Sequence, residues 1–259
     1  MTEPTGSKAG VRSRVSVVIP TKDRLPLLTE ALESLQRQRH TDWEALVVDD
    51  GSRDGTVERL REWGAADPRI RGLVREGEPA GGNRCRNLGF AASTGEYLIF
   101  LDDDDAFSPR CLEERVRWME TRPELDFGVF PVQTFLEKPG DIPRVLPAEP
   151  GRDDIERYLR VDVPWQTASP LWRRSALERL GPWDEALPCW QDWEFSVRAL
   201  ASGVRYACFP EGPWFFHRVQ TPGRTAISTK KRGPVQLRGV ERAVASGLRT
   251  LREHGGLTE

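Results

Sequence analysis

From Val15 onward, short β-branched runs alternate with stretches whose apolar residues recur every three or four positions, and few architectures accommodate that alternation. Strands need hydrogen-bonded partners and amphipathic helices need a surface to cover, so the pattern predicts an α/β fold with a mainly parallel central sheet flanked by helices. Residues 15–19 read as a buried strand, after which Leu25, Leu28, Leu32 and Leu35 share a helical face, with Pro26 suited to the first turn. Residues 45–48 form a second strand. Asp54 is placed to cap a helix carrying Val57 and Leu60, residues 70–74 form a third strand, and 87–92 lie in a further helix. Residues 96–101 are an apolar strand running directly into four aspartates. Ser108 and Pro109 then supply an N-cap and a first-turn proline for a helix with Leu112, Val116 and Met119 on one face, and 127–135 reads as one more strand.

Five stretches follow from this pattern. Residues 1–14 are polar and predict a disordered lead-in, because they hold too little apolar surface to offset ordering entropy. Residues 15–136 form a first half, and 137–152, with Pro139, Pro143, Pro147 and Pro150, form a connector. Residues 153–233 form a second half with a different task, since six of the nine tryptophans fall between Trp165 and Trp214. Residues 234–259 carry Leu237, Val240, Val244, Leu248 and Leu251 at helical spacing with arginines on the other faces. This amphipathic helix is expected to dock on the body or in a homodimer, with peripheral membrane association as the alternative.

Composition excludes some partners. With 38 Lys plus Arg against 40 Asp plus Glu, the chain has no general attraction for nucleic acid. Cys85, Cys111, Cys189 and Cys208 lack CxxC spacing and read as ordinary reduced thiols. No run approaches the roughly 20 apolar residues of a membrane span, and the expected location is the cytoplasm, with the inner face of the membrane as a possible station.

Chemistry in such a sheet belongs at the carboxyl ends of its strands, where loops converge and helix N-termini point at ligands. The first loop, Pro20-Thr21-Lys22-Asp23-Arg24, contains no glycine, so both the dinucleotide fingerprint and the phosphate-cradling P-loop are missing. The second, Asp49-Asp50-Gly51-Ser52, is either a ligand-facing acidic turn or a helix-capping one. The third, Asp102-Asp103-Asp104-Asp105, would repel itself strongly if fixed and ionised without a counter-charge. A hard divalent ion such as Mn²⁺ or Mg²⁺ relieves that repulsion, with water and diphosphate oxygens completing its shell. A solvated acidic turn is the plainer reading, and it suits Asp105 best. Arg84 and Arg86, beside Gly81-Gly82, stand where a diphosphate could be reached.

These segments together resemble the family 2 glycosyltransferases, enzymes of the GT-A fold. The likeness is carried by Val15-Ser16-Val17-Val18-Ile19-Pro20-Thr21, by Val47-Val48-Asp49-Asp50-Gly51-Ser52, by Arg86-Asn87-Leu88-Gly89, and by Gly95-Glu96-Tyr97 with the following aspartates, and spans roughly residues 15–120. The resemblance implies that Pro20, Thr21, Asp23 and Asp50 hold a nucleotide base, that Asp102 and Asp103 contact the nucleotide, and that Asp104 binds the metal. Arg84 joins them as a diphosphate contact. A carboxylate that accepts an imide N–H favours uracil, although Lys22 departs from the aromatic residue often found at its position in the family.

In the second half, Leu180-Gly181-Pro182-Trp183-Asp184-Glu185 and Trp190-Gln191-Asp192-Trp193-Glu194 resemble the acceptor side of the same family. By that match Asp192 is the catalytic base, with Gln191 standing where the family commonly has Glu. The rival role for Asp192 is a carboxylate placed to suit a helix N-terminus. Trp190 and Trp193 are expected to stack on an acceptor sugar, His217 to contact the metal or diphosphate, and the basic stretch from Arg218 through Arg224 to Arg232 to close over the leaving group. The implied reaction is inverting, metal-dependent transfer from a UDP-sugar to a hydroxyl of a glycan or glycoconjugate. A sugar nucleotidyltransferase would want a glycine-rich basic loop after its first strand, and an inactive carbohydrate-binding scaffold would not need both a metal site and a base.

Overall fold

The computed structural model describes residues 13–77, 80–146, 153–212, 215–219 and 233–254. In chain order the elements are β1 (Val15–Thr21), α1 (Leu25–Gln36), β2 (Trp43–Asp49), α2 (Thr56–Ala66), β3 (Ile70–Val74), α3 (Gly82–Ala92), β4 (Tyr97–Phe100), β5 (Ala106–Phe107) and α4 (Cys111–Glu120). There follow β6 (Phe127–Val129), β7 (Val132–Phe135), β8 (Val145–Leu146), α5 (Asp154–Leu159), β9 (Pro170–Arg173), α6 (Arg174–Leu180), α7 (Gln191–Ala201), β10 (Tyr206–Cys208), β11 (Phe215–Arg218) and α8 (Pro234–Glu253).

Seven strands form one sheet in the order β10-β6-β9-β4-β1-β2-β3, and four more form a second in the order β5-β11-β7-β8. In the larger sheet β4, β1, β2 and β3 run parallel, as do β6 and β10, and only β9 is antiparallel to its neighbours β4 and β6. Strand β6, from before the proline-rich stretch, lies between β9 and β10, from after it. The central strands are buried on both faces. Val17 and Ile19 join one core with Leu28, Leu32 and Met119, whereas Val18 joins the other with Phe100, Trp172, Trp183 and Phe195. That two-sided burial explains why these strands read as continuous apolar runs.

Helix α3 lies close against the sheet because of Gly89. A Cβ there would stand 2.4 Å from Val18 Cγ1, closer than packed side chains allow, and 3.2 Å from Val48 Cγ2. Helix α8 packs on α7 in the same manner, with Gly247 facing Trp193 and Val197. Its buried face is the small-residue stripe Gly239, Ala243, Ser246, Gly247 and Thr250, together with Leu251. Of the expected apolar contact residues, Leu237 is exposed, and Val240, Val244 and Leu248 are half-buried at the edge of the contact.

Three local expectations are corrected. The span 127–135 is two strands in different sheets, because Pro131 has no N–H to continue a ladder and Phe130 instead donates its N–H to Ser169 O. Helix α4 starts at Cys111 with Arg110 as N-cap, so Ser108 and Pro109 precede it, and the Ser108 carbonyl accepts from Gln38 Nε2. Asp54 stands one residue before Gly55, the actual N-cap of α2, and its carboxylate serves two helices by accepting from Thr56 N and Leu25 N.

Candidate functional site

The parallel register brings three loops to one edge. Thr21 aligns with Asp49, and Val18 with Phe100, so the Pro20 loop, the Asp49–Asp50 turn and the acidic run emerge together. The first two are stitched to each other. Asp23, in the left-handed region at φ +51°, donates its N–H to Ser52 Oγ and accepts the Arg53 N–H at 2.7 Å. Beside them opens a cleft of about 550 Å³ lined by Lys22, Asp23, Asp50, Gly51, Arg53, Arg75 and Gly77, a volume within the range of small-molecule sites. Asp50 accepts from Gly81 N at 2.8 Å and from Arg75 Nε. A carboxylate has about four lone-pair sites, so both oxygens keep acceptor capacity toward a ligand.

The acidic run is differentiated residue by residue. Asp103 is buried, accepting from Thr21 Oγ1 at 2.7 Å and Arg24 Nη1 at 3.1 Å, and burial pushes its carboxyl up to about 7. Thr21 and Asp103, expected at the nucleotide, therefore hold each other in the interior. Half-buried Pro20 begins the same loop. Asp104 accepts from the same Arg24 nitrogen at 2.9 Å. Asp102 keeps a 36% exposed side chain and accepts from Arg86 Nη2 at 2.9 Å.

Asp105 is the clearest correction. Expected to be peripheral, it is buried and accepts from the Arg218 N–H at 2.9 Å and from His217 Nδ1 at 3.1 Å. The register explains the contact: β11 pairs antiparallel with β5, setting Phe216 opposite Ala106 and thus His217 toward Asp105. Burial alone would lower the imidazole, but the charge and hydrogen bonds of Asp105 outweigh it and push His217 up to about 9. Nδ1 is held by Asp105, the way a carboxylate orients a metal-binding histidine, which leaves Nε2 as the ring nitrogen that could face a metal or a diphosphate. Arg218, read from sequence as the start of a basic loop, is a buried strand residue that donates Nε to Asp104 O and pairs with Glu30. Arg224 to Arg232 lie outside the described residues.

The two arginines expected within reach of a diphosphate lie in different settings. Arg84 pairs with Glu185, 3.7 Å away. Arg86 instead lies in the site, with Nη2 on Asp102, Nη1 3.2 Å from Gln191 Oε1 and 3.3 Å from Asn83 Oδ1, and its guanidinium over the Trp183 ring. The available signal was helical phase: Asn83, Arg86 and Gly89 recur at i+3 on the face pressed against the sheet, and Arg84 does not share it.

Asp192 opens α7 after Trp190, whose φ of +57° makes a left-handed N-cap. It lines a small cavity with Phe100, Trp165, Trp172, Trp183 and Phe195. One carboxylate oxygen accepts the Trp193 N–H at 2.9 Å, as a helix N-terminal residue does. Desolvation by the surrounding walls raises its carboxyl above the ordinary value, although the side chain stays open at the mouth. Trp193 departs from its expected role as an acceptor platform. It is buried, its indole N–H goes to Tyr158 O at 2.7 Å, and its ring is covered by Gly247. Trp190 remains half-buried beside it, with ring centroids 5.4 Å apart. The preceding turn is fastened to α3, since Asn83 Nδ2 donates to Asp184 O and Asn87 Nδ2 to Trp183 O.

No group of three or more His, Cys, Asp and Glu side chains poised to enclose a metal occurs among the described residues. A hard ion completed by a diphosphate needs only one or two protein carboxylates, and Asp104 and Asp102, oxygen donors at the strand edge, fit that smaller demand.

A family model described as Glycosyl transferase family 2 matches residues 16–180. An uncharacterized glycosyltransferase of Haemophilus influenzae is 27% identical over 186 residues, 72% of this chain and 62% of that protein's length. S. aureus TarS 1-349 in complex with UDP-GlcNAc superposes with a TM-score of 0.72 at 18% identity, over 93% of this chain and 71% of that one. Mannosyltransferase PcManGT from Pyrobaculum calidifontis, in complex with GDP-Man and Mn²⁺, gives 0.59 at 21% identity over 96% and 76%. These likenesses establish the GT-A fold.

Proposed function

This chain belongs to glycosyl transferase family 2, and from that premise we propose that it transfers a sugar, with inversion, from a UDP-sugar to a hydroxyl of a glycan or glycoconjugate. The observation that carries the reading is the position of Arg86, which ties the acidic run to the start of α7, bonding Asp102 on one side and Gln191, next to Asp192, on the other. Donor-side carboxylates and the proposed base thereby face one another across a single guanidinium.

In this reading residues 15–136 bind the donor and 153–233 the acceptor. The base lies in the cleft beside Asp50 and Asp23, with Asp50 accepting the imide N–H of uracil. Asp104, helped by Asp102, holds Mn²⁺ or Mg²⁺, which when bound neutralises charge on the departing diphosphate. Asp192 accepts the proton of the attacking hydroxyl, and a carboxyl raised by desolvation is a better match to that task than an ordinary one. Trp190 at the mouth offers an aromatic face to the acceptor.

No described helix is long and apolar enough to cross a membrane. The reading extends to a cytoplasmic enzyme whose helix α8 bears Leu237 and Val235 outward, toward a membrane surface or a second copy. Screening UDP-sugars for Mn²⁺-dependent hydrolysis without acceptor tests the donor assignment, and the anomeric configuration of the released or transferred sugar, read by NMR, tests inversion. Absence of turnover with any UDP-sugar while a GDP-sugar is consumed would reject the choice of base. A retained anomeric configuration would reject the single-base mechanism.

A further inference from the structure

Arg24 ends the Pro20 loop and lays one guanidinium nitrogen between two carboxylates, 2.9 Å from Asp104 Oδ2 and 3.1 Å from Asp103 Oδ1. The side chains of Asp103 and Asp104 are 6% and 11% exposed, whereas that of Arg24 is 30% exposed. Two adjacent carboxylates with so little water around them repel unless a positive charge lies between them. Arg24 supplies that charge from inside the chain. Asp103 is pinned from its other oxygen by Thr21, so that carboxylate is held in place for the arginine.

An incoming divalent ion meets an oxygen of Asp104 that Arg24 already occupies, and two cations on one oxygen repel. The geometry points to Arg24 as a built-in counter-cation that holds the acidic run closed to metal until the donor arrives. The inference rests on the proposed role of Asp104 as metal ligand. A diphosphate changes the balance in two ways: it brings oxygen ligands to the metal, and it gives the displaced guanidinium a new anionic partner. The Arg24 side chain is 30% exposed, so a diphosphate arriving from solvent can reach its guanidinium. Metal and donor then bind with positive coupling, each raising the affinity of the other.

The test is Mn²⁺ binding followed by loss of the free-ion EPR signal, for the wild-type chain and for R24Q, R24M and R24K, each with and without UDP. Without UDP, R24Q and R24M are expected to bind Mn²⁺ roughly tenfold or more tightly than wild type, because a charge-assisted bond no longer has to be broken. R24K keeps the charge and is expected to stay near wild type. With UDP the gap should narrow. Two neutral variants are used so that misfolding of one, seen as a lost melting transition, leaves the other to report. If wild type binds Mn²⁺ with UDP but the neutral variants without UDP bind no more tightly than wild type, the counter-cation role is overturned while the metal assignment stands. If wild type does not bind Mn²⁺ even with UDP, the metal assignment fails and the role of Arg24 falls with it.

Discussion

Replacing Arg86 with Met keeps the stem that packs over Trp183 and removes the charge that joins the two halves of the site. The structure sets the scale of the loss. A unit charge pair about 4 Å apart at an effective dielectric of about 20 interacts by roughly 4 kcal/mol, and Nη2 stands 2.9 Å from Asp102 Oδ1. Because Asp102 is 36% exposed, water and salt screen much of this, leaving about 1–2 kcal/mol. The bond to Gln191 Oε1 adds about 1 kcal/mol. The R86M chain should therefore unfold about 2–3 kcal/mol more easily in a denaturant titration. The effect on turnover should be larger than this stability loss implies, because Asp102 and the start of α7 lose their common anchor, and a misplacement of about 1 Å can cost roughly 100-fold. UDP-sugar turnover, measured at saturating donor on protein shown to be folded, gives the second readout. A double-mutant cycle with D102N isolates the pair, and its coupling should be about 1 kcal/mol or more. Turnover within about threefold of wild type, with negligible coupling in the cycle, would refute the idea that Arg86 organises the site.

Asp192→Asn should abolish transfer while leaving Mn²⁺-dependent UDP binding intact by calorimetry, since the proposed base takes no part in holding the donor; an active variant would remove the assignment. Trp193→Phe should lose the hydrogen bond to Tyr158 O and lower stability by about 1 kcal/mol. It should leave the acceptor KM unchanged, and a raised KM with normal stability would return Trp193 to the acceptor site. Glu44 supplies a pH test away from the chemistry. Burial raises its carboxyl, but bonds from Thr94 N, Ser16 Oγ, Thr94 Oγ and Arg71 more than offset this, so its folded value lies below the ordinary 4.5. Its stabilisation is fully present above that ordinary value and is lost as pH falls through the lower folded one. The stability difference between wild type and Glu44→Gln should thus shrink on acidification, and a difference constant from about pH 7 to about pH 3 would contradict it.

The sheet and its ligand edge were legible because strand ends are written locally. An apolar run buried on both faces stops where Pro or Asp begins, at Pro20, Asp49 and Asp102. Candidate residues whose placement depends on direction were not legible. Arg84 and Arg86 have the same chemistry two positions apart, and only the side of α3 facing the sheet separates them. Asp105 looked solvated because nothing near it in sequence supplies its partners, and the residues that bury it come from β11, more than 100 positions later. Arg24 was not legible as a counter-charge because it lies 79 and 80 positions before the carboxylates it meets. The C-terminal helix shows a related failure. Its strongest apolar positions suggested the docking face, but close approach to Trp193, Pro188 and Cys189 requires small residues, so Gly247 and Gly239 occupy the contact.

The placement of β6 between β9 and β10 sets an order on synthesis. As the chain leaves the ribosome, β1 to β4 can pair, but one edge of β4 stays bare and β6 has no neighbour until β9 emerges and bridges both. An uncovered edge is a template for pairing with other chains, so truncations ending in the proline-rich stretch should be poorly soluble even though they hold every donor-side motif. Chimeras that exchange acceptor halves at that same point would inherit the problem, because the joint that appears natural in sequence divides one sheet.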